Sequence, residues 1–111
     1  MAEPIPFRRP IHKGRLRTDE AERIIRERAR KTENVFFADH AWVRVADRSI
    51  TSEDAFEILL NGHVDGQPVM TENGEWKCTV TRRMAGTRSA GAVTVILRGA
   101  ELFVKTVMWM D

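Results

Sequence analysis

The chain has 111 residues, of which 42% are hydrophobic and 31% are charged, and this is the composition of one globular domain. Its net charge is only +2, and its single cysteine, Cys78, excludes an intrachain disulfide and is expected to be a small buried hydrophobe. No apolar run approaches the roughly 20 residues of a membrane-spanning helix and no secretory core is present, so we expect a cytoplasmic protein without a membrane partner.

Residues 1–17 are predicted to form a basic extended arm in front of a single α+β domain over residues 18–111. The arm holds three of the four prolines and has no periodic apolar pattern. Residues 1–31 carry ten Lys and Arg against five Asp and Glu, whereas the rest of the chain carries eight against eleven. This asymmetry indicates an anionic partner such as RNA, DNA or an acidic protein, and a solvated arm without a partner is the alternative.

The first predicted helix begins after Thr18, whose side chain is suited to cap an N-terminus. Acidic residues in the first turn suit the helix dipole, and a narrow apolar stripe indicates a surface helix. A second helix is predicted from Asp39 to about Arg48. Within it His40, Arg44 and Arg48 recur every four positions, so they line one side of the helix.

A third helix is predicted after Thr51, which approximates a capping box with Asp54, and Asn61-Gly62 predicts where it ends. Beyond it the pattern is that of strands: Pro68 restricts the first to an edge, "EWKCTVTRR" alternates, "AVTVILR" suits a central strand and "LFVKTVMWM" is the last. The predicted fold class is α+β, with two or three N-terminal helices packed on one face of a three- to four-stranded antiparallel sheet.

Basic side chains lie on or beside this predicted sheet, namely Lys77, Arg82, Arg83, Arg88, Arg98 and Lys105. Lys77 and Arg83 share strand parity and should face the same way. If the helices cover the other face, a cationic open face results that can bind phosphates. Ordinary polar side chains on an exposed sheet face are the alternative.

No metal site and no cofactor are predicted. The residues with suitable donor atoms lack the spacing of a metal site; these are His12, His40, His63 and Cys78. A different pattern, Asp65 followed by Glu75-Trp76-Lys77, resembles the D…E-x-K signature of Mg²⁺-dependent nucleases, in which the acids hold the metal and the lysine orients water. A solvent-facing pair on a half-exposed strand is the alternative.

The stretch "DHAWVRVADRSITSEDAFEILLNG", with the closing "VKTVMWM", resembles a bacterial family, domain-of-unknown-function family 4258. The common pattern is H-A-x-x-R-x-x-x-R, then Ile, Ser or Thr, an acid pair that opens a helix, and a terminal V-x-T-V strand, over about residues 36–111. The family is similar to MqsR and RelE-type mRNA interferase toxins. The resemblance therefore implies a RelE-like endoribonuclease that works without metal, and a zinc-finger, helix-turn-helix antitoxin as its partner.

On this interpretation we hypothesise that His40 is the general base or acid and that Arg44 and Arg83 bind the scissile phosphate. The residues expected to hold the RNA strand are Arg48, Lys77, Arg82, Arg88 and Lys105. The chain has no tyrosine, which RelE-like toxins often place near the cleaved phosphate.

Other interpretations remain open. The His-Arg-Arg side of the second helix could clamp that helix to the sheet. The protein could be a non-catalytic module that binds nucleic acid or protein, or a Mg²⁺-dependent nuclease. A homodimer is also among the expected assemblies.

Overall fold

The structure is a computed structural model that describes residues 15–41, 50–84 and 88–110. The described residues form two α-helices, one short 3-10 helix and five strands. The elements in chain order are α1 (Thr18–Ala29), the 3-10 helix (Thr32–Asn34), β1 (Val35–Phe37), α2 (Ser52–Asn61), β2 (His63–Met70), β3 (Trp76–Arg83), β4 (Ser89–Ile96) and β5 (Leu102–Trp109).

The five strands form one mixed sheet in the order β1-β5-β4-β3-β2. Strands β2 to β5 pair antiparallel, whereas β1 runs parallel to β5. The α+β class is confirmed, but the prediction of three to four strands, all antiparallel, is wrong. The missed strand β1 is three residues long and finds its partner far along the chain, since Val35 pairs with Leu102. Local periodicity therefore gives no signal for it.

The centre and one edge of the sheet lie where the sequence predicts them. Strand β4, the apolar "AVTVILR" stretch, is the middle strand, and β2 with Pro68 is an edge strand. The pairing of β2 with β3 is irregular between Asp65 and Val69, and Pro68 lies inside that irregularity. This placement agrees with the inability of proline to donate a ladder hydrogen bond.

Helix α1 begins one residue earlier than predicted, because Arg17 and not Thr18 is its N-cap. The Glu20 carboxylate accepts a hydrogen bond from the Arg17 backbone N–H at 3.3 Å. The Thr18 hydroxyl donates instead to the carbonyl of Gly66 at 3.2 Å and thereby ties the start of α1 to β2. Leu16 is already buried in the core.

The second predicted helix falls largely on residues 42–49, which lie outside the described part of the chain, so Arg44 and Arg48 lie outside it as well. The described residues before this segment close a turn, in which the Ala41 N–H donates to the Ala38 carbonyl at 3.0 Å. Ala41 and Ile50, on either side of the segment, are both buried.

Helix α2 has the predicted capping box and the predicted end. The Asp54 N–H donates to the Thr51 hydroxyl at 3.1 Å, and the Thr51 N–H donates to the Asp54 carboxylate at 3.0 Å. At the other end the Gly62 N–H donates to the Ile58 carbonyl at 2.7 Å. A Cβ on Gly62 would lie 2.5 Å from that oxygen and 2.6 Å from the Thr81 carbonyl oxygen, so α2 approaches β3 closely only because residue 62 is glycine.

Both helices pack on the same side of the sheet, which we call the covered face. Its positions in β3 are Trp76, Cys78 and Val80, and these join buried residues of α1 and α2 in one core. The alternate positions, such as Lys77 and Thr79, are only partly buried. They define the open face, on which neither α1 nor α2 packs. No helix in the described ranges is long and apolar enough to span a membrane.

Candidate nucleic-acid interface

Strand register arranges the open face in transverse rows. One row crosses all five strands and consists, from β2 to β1, of Val69, Lys77, Val95, Phe103 and Phe36. The next row holds polar and small residues and ends on Thr106 of β5. Its members are Asp65, Thr79, Val93 and Thr106. The open face is therefore an apolar row with one lysine, bordered by a more polar row.

Among the described residues, two phenylalanines form an aromatic pair on this face. Phe36 and Phe103 are direct partners in the parallel pairing of β1 with β5, where strands lie about 4.8 Å apart. Phe36 is 46% exposed and Phe103 is partly buried. Sheet-borne aromatic rings are surfaces on which nucleobases stack. This pair is not apparent from the sequence, because both parities of the last strand are apolar and β1 gives no strand signal.

Three of the predicted cationic residues lie on the open face: Lys77, Arg83 and Lys105. Lys77 and Arg83 are on β3, about 20 Å apart along the strand. Lys105 occupies the irregularity in the pairing of β5 with β4 and is exposed. Within the described ranges none of the three side chains makes an ion pair. Their charges are therefore available to an anionic ligand.

Two other predicted RNA-binding residues are engaged by the fold itself. Arg82 lies 3.0 Å from the Glu57 carboxylate and donates to the Asn61 carbonyl at 3.4 Å, so it joins β3 to the end of α2. The guanidinium of Arg88 lies 4.4 Å from the centroid of the Trp109 ring. Both interactions involve partners on the covered side, and the structure thus separates Arg82 and Arg88 from the cations of the open face.

His40 lies outside the sheet proper, beside the outer edge of β5. The Ala38 N–H donates to the Val104 carbonyl at 2.9 Å, and the Val107 N–H donates to the Ala41 carbonyl at 2.7 Å. These two bonds hold the segment that contains His40 beside the part of β5 that contains Lys105. His40 itself is exposed.

The predicted catalytic pair His40 and Arg83 is not brought together. Arg83 is on β3, three strand spacings or about 14 Å from the segment of His40. One phosphate cannot contact both side chains without a large movement. Among the described cations of the open face, Lys105 is the one whose strand borders His40.

The residues of the Mg²⁺-nuclease pattern are also apart. Asp65 pairs with Thr79, whereas Glu75 precedes β3 by one residue, about 13 Å away along the strand direction. Among the residues that the structure covers, no group of three or more His, Cys, Asp or Glu is placed to hold a metal ion.

The buried thiol agrees with its predicted role as a small hydrophobe. Cys78 is 2% exposed, and burial raises the pKa of its thiol to about 12. The thiol therefore stays protonated near neutral pH, where it is a poor nucleophile.

A polar cluster at the β2 edge of the sheet joins α1 to β2. One Glu22 oxygen accepts the Val64 N–H at 2.9 Å, and the other lies 3.1 Å from both Arg26 Nη2 and His63 Nδ1. Burial acts to raise the pKa of Glu22, but the hydrogen bonds from Val64 and His63 and the charge of Arg26 outweigh it and lower the pKa overall. The partners are all structural, so this cluster holds the fold and lies outside the candidate interface.

A shallow depression of about 350 Å³ lies at the end of the open face, next to the turn between β2 and β3. Its lining combines apolar, acidic and basic residues, chiefly Val95, Leu97, Phe103, Glu72, Glu75 and Lys105. It thus includes Phe103 of the aromatic pair and one of the available cations, Lys105.

Comparison with known proteins identifies no relative of this chain. No protein-family model matches the chain, and searches among curated proteins and solved structures gave no match either. The resemblance to a toxin family, and with it the RelE-like topology, stays a prediction.

Proposed function

We propose that this protein binds single-stranded RNA on the open face of its sheet. The observation that carries the proposal is the pair formed by Phe36, which is 46% exposed, and Phe103, which is partly buried. Lys77 lies in the same row and Lys105 on the same strand as Phe103, and neither has an ion-pair partner in the described ranges. Base stacking on an aromatic side chain contributes about 1–3 kcal/mol per base, and lysines add contacts to phosphates. A single strand can splay its bases onto such a face, whereas a duplex keeps them stacked inside.

Charge on the open face supports modest, salt-sensitive binding. Lys77, Arg83 and Lys105 neutralise up to three phosphates, which corresponds to a slope of log affinity against log salt of about −2 for a single strand. Asp65 and Glu75 lie on the same face and oppose general attraction to polyanions. The aromatic pair, and not charge alone, would therefore distinguish RNA from other polyanions.

A binding titration tests this proposal. Fluorescence anisotropy of a labelled uridine-rich RNA of about ten nucleotides is measured at increasing salt. Lys105→Ala is expected to weaken binding and to reduce the salt slope by about 0.7. Arg23→Ala removes the same charge from the exposed side of α1 and should change neither. Equal losses in both variants would mean that RNA does not bind the open face.

A metal-independent endoribonuclease is the second candidate function, and the exposed position of His40 beside the Lys105 stretch favours it. In this mechanism His40 takes the proton of a 2′-hydroxyl and that oxygen attacks the adjacent phosphorus. The bond between phosphorus and the 5′-oxygen then breaks, the 5′-oxygen takes a proton from water, and the protonated His40 returns its proton to the hydroxide that remains. The products are a 2′,3′-cyclic phosphate and a 5′-hydroxyl. Lys105 would stabilise the charge of the phosphorane, a role that Arg83 could share only from a distant position.

Cleavage in EDTA separates this candidate from a non-catalytic binding module. Wild-type protein should cut the RNA, and His40→Ala should abolish cutting while binding persists. His63→Ala is the matched control, since that ring is engaged by Glu22 at the opposite edge of the sheet. If bound RNA stays intact, the protein is a binding module and the cleavage proposal fails.

We propose that partner proteins bind the same surface. Val69 and Phe36, at the two ends of the apolar row, are 56% and 46% exposed. An antitoxin or a second copy of the chain that covered this row would compete with RNA. Either assembly predicts that RNA affinity falls as the complex forms, which a competition titration measures directly.

A further inference from the structure

The depression lies at the end of the open face, next to the turn between β2 and β3. It combines apolar, basic and acidic residues within the space of one nucleotide. Its volume, about 350 Å³, falls at the lower end of the range for small-molecule sites. Its apolar lining consists of Leu97, Phe103 and Val95, of which Val95 is only 5% exposed, and Lys105 adds a positive charge. A flat heterocycle carrying a phosphate matches this combination.

Two carboxylates, those of Glu72 and Glu75, also line the depression from the segment that precedes β3. In the described part of the chain neither Glu72 nor Glu75 makes an ion pair, although both line the same depression as Lys105. The backbone of Glu75 is fixed at both polar groups, since its N–H donates to the Thr71 hydroxyl at 3.1 Å and its carbonyl accepts the Thr71 N–H at 2.7 Å. Glu75 is also the less exposed of the two acids, so its backbone is held in place and it is the better candidate for a contact with a bound base.

The four bases differ in the hydrogen-bond donors that they present to a carboxylate. An ionised carboxylate only accepts hydrogen bonds and has two oxygens side by side. The Watson–Crick edge of guanine offers two adjacent donors, N1–H and the N2 amino group. Adenine and cytosine present an amino group next to an acceptor nitrogen, and uracil presents one N–H between two carbonyls. Only guanine therefore matches both carboxylate oxygens without placing an acceptor against them.

We infer that this depression is a guanosine subsite of the RNA-binding face. The base stacks on Phe103, its Watson–Crick edge donates to the Glu75 carboxylate, and its phosphate contacts Lys105. The inference rests on the proposed function, since it adds base selectivity to a surface proposed to bind RNA.

The test compares RNAs that differ at one base. Labelled uridine heptamers carry guanosine, inosine, adenosine or uridine at the centre, and their affinities are measured by anisotropy. Guanosine should bind at least about tenfold more tightly than adenosine, as a bidentate contact implies. Inosine, which lacks the N2 amino group, should fall between them.

Glu75→Gln should reduce the guanosine preference to less than about twofold. The same variant should bind the all-uridine strand as well as wild type or better, because a negative charge has been removed. Glu53→Gln, which removes a carboxylate from α2 on the covered side, should keep the preference intact.

Each contrary result has a distinct meaning. Equal affinity for all four strands overturns the guanosine subsite and leaves RNA binding in place. A preference that survives Glu75→Gln, in a variant with wild-type thermal unfolding, overturns its assignment to this depression. A basic peptide that binds in place of RNA and loses affinity in Glu75→Gln identifies a cation site instead. If no strand binds even at low salt, the proposed function fails and the inference fails with it.

Discussion

Single arginines show why charge in the sequence does not locate a binding surface. Arg28 on α1 donates to the carbonyls of Leu97 and Glu101 at 2.7 and 3.0 Å, across to the turn between β4 and β5. Burial lowers the pKa of Arg28 from its ordinary value, but a guanidinium remains charged at any physiological pH. Arg82 is engaged in the same way by α2, whereas Lys105 has no ion-pair partner in the described ranges. Residue type alone does not separate these roles.

Arg28→Ala should destabilise the protein by about 2 kcal/mol, because two carbonyls lose a charged donor and the side-chain stem loses its packing. Arg23→Ala, on the exposed side of the same helix, should change stability by less than about 0.5 kcal/mol. Urea unfolding at neutral pH measures both. Similar unfolding midpoints for the two variants would contradict the structural role given to Arg28.

The lowered pKa of Glu22 predicts that the folded protein loses stability in acid. Its pKa is lowered in the folded protein, so its contribution is fully present above its ordinary pKa of 4.5 and is lost as the pH falls through the lower, folded value. Glu22→Gln should therefore be less stable than wild type by about 1–2 kcal/mol at pH 7, and the difference should shrink below pH 4. Glu33→Gln, at an exposed site, is the control. A difference that stays constant from pH 7 to pH 3 would contradict this account.

At the scale of elements, the sequence predicts what local chemistry determines. The α2 capping box, its glycine stop, the edge position of the strand with Pro68 and the central apolar strand are all confirmed. Strand β1 and the choice of open face could not be predicted, because both depend on pairings between distant segments. The pair of Phe36 and Phe103 depends on those same pairings and remained hidden, while Lys77 and Arg83 were correctly expected to share a face.

Substitution by alanine should reduce stability by different amounts at two glycines. Gly62→Ala forces a Cβ against two backbone oxygens where α2 meets β3, and should cost about 3 kcal/mol. Gly66 has φ +79° and open space around its Cβ position, so Gly66→Ala should cost only about 1 kcal/mol. Thermal or urea unfolding compares them. If Gly66→Ala is the more damaging variant, α2 does not approach β3 as closely as described.

The described residues form two layers, and the two faces of the sheet differ. Helices α1 and α2 bury one face of the sheet, and the ion pairs of Glu22 and Arg82 fasten that layer to the strands. The other face keeps an aromatic pair, three cations without ion-pair partners in the described ranges, and a depression that contains carboxylates. This difference between the two faces is the basis for proposing RNA binding on the open face.

Photochemical cross-linking of bound RNA tests that central claim most directly. The 111-residue chain is irradiated with a single-stranded RNA of about ten nucleotides, digested, and analysed by mass spectrometry for peptides that carry nucleotide adducts. We predict adducts at Phe36 and Phe103, and a marked loss of the second adduct and of affinity in Phe103→Ala. Adducts confined to the helices or to residues 1–14, with unchanged affinity in Phe103→Ala, would contradict RNA binding on the open face.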